Sequence, residues 1–194
     1  MQESPDPKLV VCAIAGSLRR ASYNLGLLRA AQEVAPPHME IRIFEGLADV
    51  PPYNSDVEAQ GDPAPVTALK QAIGEADALL IATPEYNYSV PGVLKNAIDW
   101  ASRPPKATVL KGKPAGILGA SMGMAGTARA QLALRQSFVF TQTLVVPGSE
   151  VLVAKAHERF DAEGRLTDES TRKHLADYLV SLAEWTRKLA APRG

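Results

Sequence analysis

The stretch ALLIATPEYNYSVPGVLKNAIDW, residues 78–100, decides the fold of this chain. It opens with an apolar run from Ala78 to Ala82 that has no polar alternation. A continuous run of this kind indicates a strand covered on both faces, as in a parallel sheet between two layers of helices. A polar and aromatic loop follows, and Pro91 then opens a helical pattern. The stretch therefore predicts a buried strand, a polar loop and a helix in succession.

The same succession recurs along the chain. Further strands are predicted at residues 8–15, 39–44, 115–119 and 143–146, and helices at 24–35, 66–75, 91–102, 126–140 and 167–189. Thr167 is the predicted cap of the last helix, and residues 151–154 extend or flank the fifth strand. Because crossover connections are right-handed, this alternation predicts an α/β fold with a five-stranded, doubly wound parallel sheet and helices on both faces.

Length and composition limit the number of domains and the kinds of partner that the chain can have. The chain has 194 residues, of which 46% are hydrophobic and 22% are charged, as in ordinary globular proteins. We expect a flexible leader at residues 1–7, a single domain at 8–190 and a tail at 191–194. The 21 basic residues balance the 21 acidic residues, so neither nucleic acid nor a membrane surface is an expected partner.

The sequence carries no signal for a membrane span, for secretion or for metal binding. No stretch approaches the roughly 18–20 apolar residues of a membrane span. The first residues lack the basic and then apolar order of a secretory signal, so we expect a cytoplasmic protein. The histidines have no ligand spacing, and no metal site is expected. Cys12, the only cysteine, lies among apolar residues and is interpreted as a packed core thiol.

The first loop that carries candidate ligand-binding side chains follows the first strand, at residues 16–24. Its hydroxyl, amide and guanidinium groups stand before a helix whose first N–H groups have no partner, which is the set of donors that a phosphate needs. The loop matches neither a P-loop nor the G-x-G-x-x-G dinucleotide motif. A plain alternative is that Ser17 or Ser22 caps the helix while Arg19 and Arg20 are solvated.

The second and third loops follow the third and fourth strands. Residues 83–92 carry Tyr86 and Tyr88, which suit a flat heteroaromatic ring but are also compatible with ordinary loop packing. Residues 120–127 carry two glycines that permit a close backbone approach. The three loops converge at the carboxyl edge of the sheet if the strand order is 2-1-3-4-5.

These motifs resemble a known family. The sequence GSLR at residues 16–19, with Ser22 and Asn24, and the longer sequence PEYNYSVPGVLKNAIDW at 84–100 are similar to those of the NADPH-dependent FMN reductase family. That family includes bacterial quinone, chromate and azo-dye reductases. The resemblance covers the chain from the first to the fifth strand.

The resemblance implies a flavodoxin-like fold, bound FMN, and a homodimer or homotetramer with the flavin near a subunit boundary. By position, it implies that the FMN phosphate is held by Ser17, Arg19, Ser22 and Asn24. It implies that the isoalloxazine is lined by Pro84, Glu85, Tyr86 and Asn87, and bordered by Ser121 and Gly123.

The implied activity is NAD(P)H oxidation by an FMN-dependent enzyme that reduces quinones, flavins or similar small acceptors, with chromate and azo compounds as further candidates. Because one domain has no room for a separate dinucleotide domain, donor and acceptor are expected to share one flavin face in a ping-pong mechanism. No side chain need act as a nucleophile. Glu85 is either a general acid or a partner of an arginine such as Arg103 or Arg129, across a subunit boundary. A flavodoxin-type electron carrier is the alternative, although such carriers are typically acidic.

Overall fold

The computed structural model describes residues 8–190, and the predicted leader and tail lie outside the described residues. The strands are β1 (Leu9–Ala15), β2 (Met39–Ile43), β3 (Ala78–Ala82), β4 (Pro114–Ala120), β5 (Leu144–Val145) and β6 (Val151–Val153). The α-helices are α1 (Tyr23–Val34), α2 (Ser55–Glu58), α3 (Ala64–Glu75), α4 (Gly92–Ala101), α5 (Ala128–Thr141) and α6 (Glu169–Ala190). Short 3₁₀ turns occupy Gly46–Asp49, Pro105–Ala107 and Ala156–Glu158.

The strands form one parallel sheet with the order β2-β1-β3-β4-β5, which confirms the predicted flavodoxin-like fold. β1 lies between its two partners, with Leu9 opposite Met39 on one side and Val11 opposite Ala78 on the other. The strand order reverses between β1 and β3. Ligands of such sheets bind outside the carboxyl ends of the strands at this reversal.

The last edge of the sheet differs from the five-stranded prediction. β5 pairs with the start of β4, and β6 pairs in parallel with its end, so two short strands share one edge. Pro147 and Gly148, the latter with φ +85°, interrupt the chain between them. The break leaves the N–H of Ile117 without a strand partner, and this N–H donates to the buried Tyr178 hydroxyl at 2.7 Å.

Apolar residues cover both faces of the sheet. One cluster joins the sheet to α1 and α6 through Leu27, Leu28 and Leu179. The opposite cluster joins it to α3, α4 and α5 and includes the fully buried Trp100 and Phe138. The unbroken apolar runs of β3 and β4 follow from this double coverage, because neither face of these strands meets water.

The last helix begins two residues later than predicted. The cap is Asp168, whose carboxylate accepts from the Thr171 N–H at 2.8 Å, while the Thr167 hydroxyl donates to the Arg159 carbonyl. A carboxylate suits this position because it accepts from the unpaired N–H groups and faces the positive end of the helix dipole. None of the described helices combines the length and the apolar character needed to cross a membrane.

Candidate active site

The three loops that leave β1, β3 and β4 meet around one cavity at the carboxyl edge of the sheet. The cavity measures about 290 Å³. Its lining includes every residue that the resemblance assigns to FMN except Asn87 and Gly123, together with Tyr23, Ala120 and Met122. The convergence follows from the observed strand order, since β1 and β3 are neighbours and β4 lies beside β3. Residues far apart in the sequence are thereby brought to one place.

The turn between β1 and α1 presents hydrogen-bond donors to this cavity. Ser22 is the N-cap of α1, and its hydroxyl oxygen accepts from the Leu25 N–H at 3.4 Å. The N–H groups of Tyr23 and Asn24 lie in the first turn, where a helix offers them no partner. Gly16 allows this turn to approach the second loop, because a Cβ there would lie 2.9 Å from Leu94 and 3.1 Å from Pro84. Helix capping and anion binding are compatible here, since Ser22 still has a hydroxyl hydrogen to donate.

Arg19 and Ser17 complete this donor set. One terminal nitrogen of the Arg19 guanidinium donates to the Ala21 carbonyl at 2.9 Å, which folds the side chain back over the turn. The Ser17 hydroxyl lies 3.4 Å from the Tyr86 hydroxyl, with which it shares a hydrogen bond. This bond joins the first loop to the second. The guanidinium retains further N–H groups for an anion.

The Asn24 side chain has a different task from the one expected of it. Its amide donates to the Ala120 carbonyl at 3.0 Å and its oxygen accepts from the Ala120 N–H at 2.9 Å. This buried pair ties the start of α1 to the end of β4, next to the third loop. The side chain therefore fixes the cavity wall, while the backbone N–H is what Asn24 can offer an anion.

The second loop is a tight turn built on two unusual backbone conformations. Tyr86 and Ser89 exchange backbone hydrogen bonds at 3.2 and 3.0 Å, and the central residues Asn87 and Tyr88 have φ values of +50° and +65°. A two-residue turn of this hand needs positive φ at both central positions, which asparagine tolerates and tyrosine does not favour. The Arg129 guanidinium lies 3.7 Å from the centre of the Tyr88 ring and stabilises that residue.

Glu85 anchors the same loop to α5. Its carboxylate accepts from the Arg129 side chain at 2.6 Å and from the backbone N–H groups of Arg129 and Ala130 at 3.0 and 3.3 Å. The Glu85 side chain is only 7% exposed. Of the two candidate partners, Arg129 pairs with Glu85 within the chain, whereas Arg103 lies over the Tyr53 ring. The carboxylate thus accepts hydrogen bonds from the start of α5 and anchors the second loop to that helix.

Backbone hydrogen bonds from the residues that follow β6 fix the third loop in place. The N–H groups of Ala156 and Lys155 donate to the carbonyls of Ser121 and Gly123 at 2.9 and 3.3 Å. The Ser121 hydroxyl accepts from the Gly123 N–H at 3.2 Å. Met122 and Met124 are exposed at the rim. Sequence reasoning singled out the loop for its glycines but missed Met122, which lines the cavity.

The donor set of the β1–α1 turn fits the phosphate of FMN. Two hydroxyls, a guanidinium and unpaired N–H groups at a helix start match a dianion in charge and in hydrogen-bonding capacity. Pro84, Tyr86 and Met122 supply the apolar and aromatic wall that a flat ring needs on the other side of the same cavity. No group of three or more His, Cys, Asp or Glu side chains among residues 8–190 has the arrangement of a metal site.

Cys12 lies in the core, apart from this site. Burial raises the pKa of its thiol to about 11, and the nearby Lys113 offsets part of that effect. The interpretation of Cys12 as a packed core residue is therefore confirmed.

Together the fold and the cavity define a flavodoxin-like flavin-binding protein. The family model of the NADPH-dependent FMN reductases matches residues 9–158, and the chain belongs to this family. An NAD(P)H-dependent FMN reductase of Pseudomonas aeruginosa is 50% identical over 92% of this chain and 96% of its own length. A quinone reductase of Escherichia coli is 42% identical over 94% of this chain and 97% of its own.

A solved structure agrees with both sequence relatives. The flavoenzyme NAD(P)H:(acceptor) oxidoreductase of Paracoccus denitrificans has a TM-score of 0.84 and 38% identity to this chain. The match covers 93% of this chain and 98% of that one. The resemblance drawn from the loop motifs is thus confirmed.

Proposed function

We propose that the protein is an FMN-dependent NAD(P)H oxidoreductase that reduces quinones, flavins or similar small acceptors. The observation that carries the proposal is the single cavity in which phosphate donors of the β1–α1 turn meet the aromatic wall of the β3–α4 loop. Its family membership and the names of its relatives support the same activity. Chromate and azo compounds are further acceptors that an open flavin site would accommodate.

The first task of the chain is to hold the cofactor by its phosphate. We assign the charge contact to Arg19, the hydroxyl contacts to Ser17 and Ser22, and the N–H contacts to the first turn of α1. Each charge-assisted hydrogen bond contributes about 1.5–3 kcal/mol. The Asn24–Ala120 pair keeps the turn and the end of β4 in register, so that the donors point into one cavity.

The second task is to line and orient the ring. The second loop, residues 83–92, is called the ring-lining loop from here on. We assign the lining of the ring to four of its residues, Pro84, Glu85, Tyr86 and Asn87, and the opposite border to Ser121 and Gly123. When bound, FMN accepts two electrons from a reduced nicotinamide and returns them to an acceptor. Backbone N–H groups of these loops are suited to stabilise the added negative charge on the ring. The Glu85–Arg129 ion pair fixes the position of the ring-lining loop.

The third task is to admit two substrates in turn. The described residues contribute one sheet and no separate dinucleotide domain. Donor and acceptor therefore have to approach the same open face, and we expect ping-pong kinetics. Such an open site also explains why a range of flat acceptors is expected.

The direct test is an absorption spectrum of the purified protein, followed by anaerobic addition of NADPH and then of a benzoquinone. We expect a flavin spectrum that bleaches with the nicotinamide and recovers with the quinone, and parallel lines in double-reciprocal plots. Flavin that is bound but never bleached by NADPH or NADH would contradict the proposal and favour an electron carrier.

We also propose a homodimer or homotetramer that works in the cytoplasm. Leu132, Val139 and Phe140 lie along one face of α5 and are 61%, 78% and 84% exposed, a patch that a monomer rarely leaves in water. The single buried cysteine suits a reducing compartment. Light scattering of the wild type and of Phe140→Ser tests the assembly. We expect a smaller species for the variant, and a monomeric wild type would contradict the proposal.

A further inference from the structure

A second cavity adjoins the phosphate turn on the side of β2. It measures about 470 Å³ and shares Ser17 and Arg19 with the candidate flavin cavity. We call it the arginine cavity after Arg19, Arg20 and Arg29, which line it. It opens beyond the carboxyl ends of β1 and β2, outside the space assigned to the cofactor.

The charge of the arginine cavity is unbalanced. The lining contains these three arginines and one acid, Glu45, in a chain whose total charge is zero. Among the arginines that the structure describes, only Arg20 and Arg29 have no hydrogen-bond, ion-pair or aromatic partner within residues 8–190. Two guanidinium groups without partners at one cavity favour a ligand with compact negative charge, since arginine matches phosphate oxygens with paired N–H groups.

The same cavity has an apolar side. Leu18, Phe44 and Leu47 contribute to its wall beside the arginines. An apolar surface next to a cationic cluster suits a nucleoside that carries a phosphate, because the base and sugar cover the apolar surface while the phosphate meets the arginines.

Shared lining residues place the arginine cavity next to a further cavity that reaches the ring-lining loop. Leu18 and Arg19 also line a third cavity of about 500 Å³, which reaches Tyr86, Pro91 and Gly92. Tyr86 in turn lines the candidate flavin cavity. A long substrate can therefore lie with one end at the ring-lining loop and the other among the arginines.

We propose that the arginine cavity holds the 2′-phosphate of NADPH, so that Arg20 and Arg29 make the enzyme prefer NADPH to NADH. This inference rests on the proposed function, and it adds the residues that decide between the two donors. The preference arises because NADPH places a dianion against Arg20 and Arg29, whereas NADH offers a neutral hydroxyl that cannot pair with them.

The experiment compares kcat/KM for NADPH and NADH in the FMN-loaded wild type, in Arg20→Ala/Arg29→Ala and in Arg165→Ala. Arg165 is the control because it is an exposed arginine that pairs with Asp161 away from all three cavities. We expect the double variant to lose about 10- to 100-fold in kcat/KM for NADPH. Its kcat/KM for NADH should stay within about 2-fold of the wild type, like both values of the control.

A binding measurement on the same proteins gives a readout that does not need turnover. Isothermal titration should detect 2′,5′-ADP binding to the wild type, weaker binding of 5′-AMP, and loss of the difference in the double variant. Inorganic phosphate should compete only weakly, because it lacks the nucleoside.

Two results would overturn the inference. One is a wild type that uses both donors equally, and the other is a double variant in which both donors are affected alike. An enzyme that binds FMN but oxidises neither nicotinamide would instead contradict the proposed function, and the 2′,5′-ADP titration would still decide whether the arginine cavity binds this phosphate.

Discussion

The Glu85 carboxylate lies 2.6 Å from the Arg129 side chain and 3.0 Å from the N–H of the same residue, so one acid caps α5 and binds its first-turn arginine. Arg129 in turn lies over the ring of Tyr88, in the turn that follows Glu85. These contacts close a small network between the ring-lining loop and the start of α5. The start of α5 therefore fixes the position of the loop.

This network predicts the behaviour of Glu85→Gln. Because the carboxylate is occupied by donors, we expect the pH profile of quinone reduction to keep its wild-type midpoints. FMN affinity should fall by about 10-fold, since one charge-assisted contact that fixes the loop is weakened. Steady-state rates from pH 5 to 9 and a fluorescence titration with FMN measure the two quantities.

The control is a double-mutant cycle with Arg129→Ala. If Glu85 acts through Arg129, the double variant should bind FMN no more weakly than the worse single variant. A Glu85→Gln enzyme with normal FMN affinity but a missing limb in its pH profile would show that Glu85 moves a proton.

Alanine variants of Gly119 and Gly74 test how tightly the end of β4 is packed, because an added Cβ has opposite expected effects on stability at the two positions. A Cβ at Gly119 would overlap the Thr127 hydroxyl and the Thr83 carbonyl, and neither can move without disturbing the loops that follow β3 and β4. We expect Gly119→Ala to lower the free energy of unfolding by at least about 3 kcal/mol. Gly74→Ala, in α3 with only Val109 near its Cβ position at 3.9 Å, should raise it by about 0.5–1 kcal/mol. Urea unfolding would contradict this explanation if the two variants were equally stable.

The Tyr178 hydroxyl accepts the hydrogen bond of the Ile117 N–H, where the last edge of the sheet is split between β5 and β6. Tyr178→Phe leaves the buried Ile117 N–H without an acceptor, and we expect a loss of about 1–3 kcal/mol in the free energy of unfolding. Tyr88→Phe removes a hydroxyl from an exposed ring and should change stability by less than about 0.5 kcal/mol. Equal stabilities of the two variants would mean that the Ile117 N–H finds another partner.

The burial of Cys12 predicts how part of the free energy of unfolding changes at alkaline pH. Its thiol has a pKa of about 11 in the folded protein against 9.0 as the ordinary value, because burial disfavours the thiolate. Above pH 9 the unfolded chain releases this proton more readily than the folded chain, so stability is lost as the pH rises. Between pH 8 and 10 the wild type should lose about 1 kcal/mol more than Cys12→Ala. Parallel profiles for the two proteins would contradict the assigned burial of the thiol.

The fold could be predicted from the sequence because the apolar runs of β1, β3 and β4 are unbroken and separated by helical patterns. The sequence also indicated that residues 151–154 extend or flank the fifth strand, as β6 does, but not that the edge is split between two short strands, since a two-residue strand has no periodicity to detect. The loop motifs predicted where the site lies. They did not predict that Asn24 binds Ala120 or that Glu85 binds the start of α5, because these pairs span 96 and 44 residues of sequence.

The most direct measurement is a titration of the apoprotein with FMN and with riboflavin, in the wild type and in Ser17→Ala/Arg19→Ala. The two flavins differ only in the phosphate, so the ratio of their dissociation constants reports the contacts of the β1–α1 turn alone. We predict that the wild type binds FMN at least about 100-fold more tightly than riboflavin, and that the double variant loses most of this difference. Equal affinity of the wild type for both flavins would contradict the assignment of the phosphate to this turn.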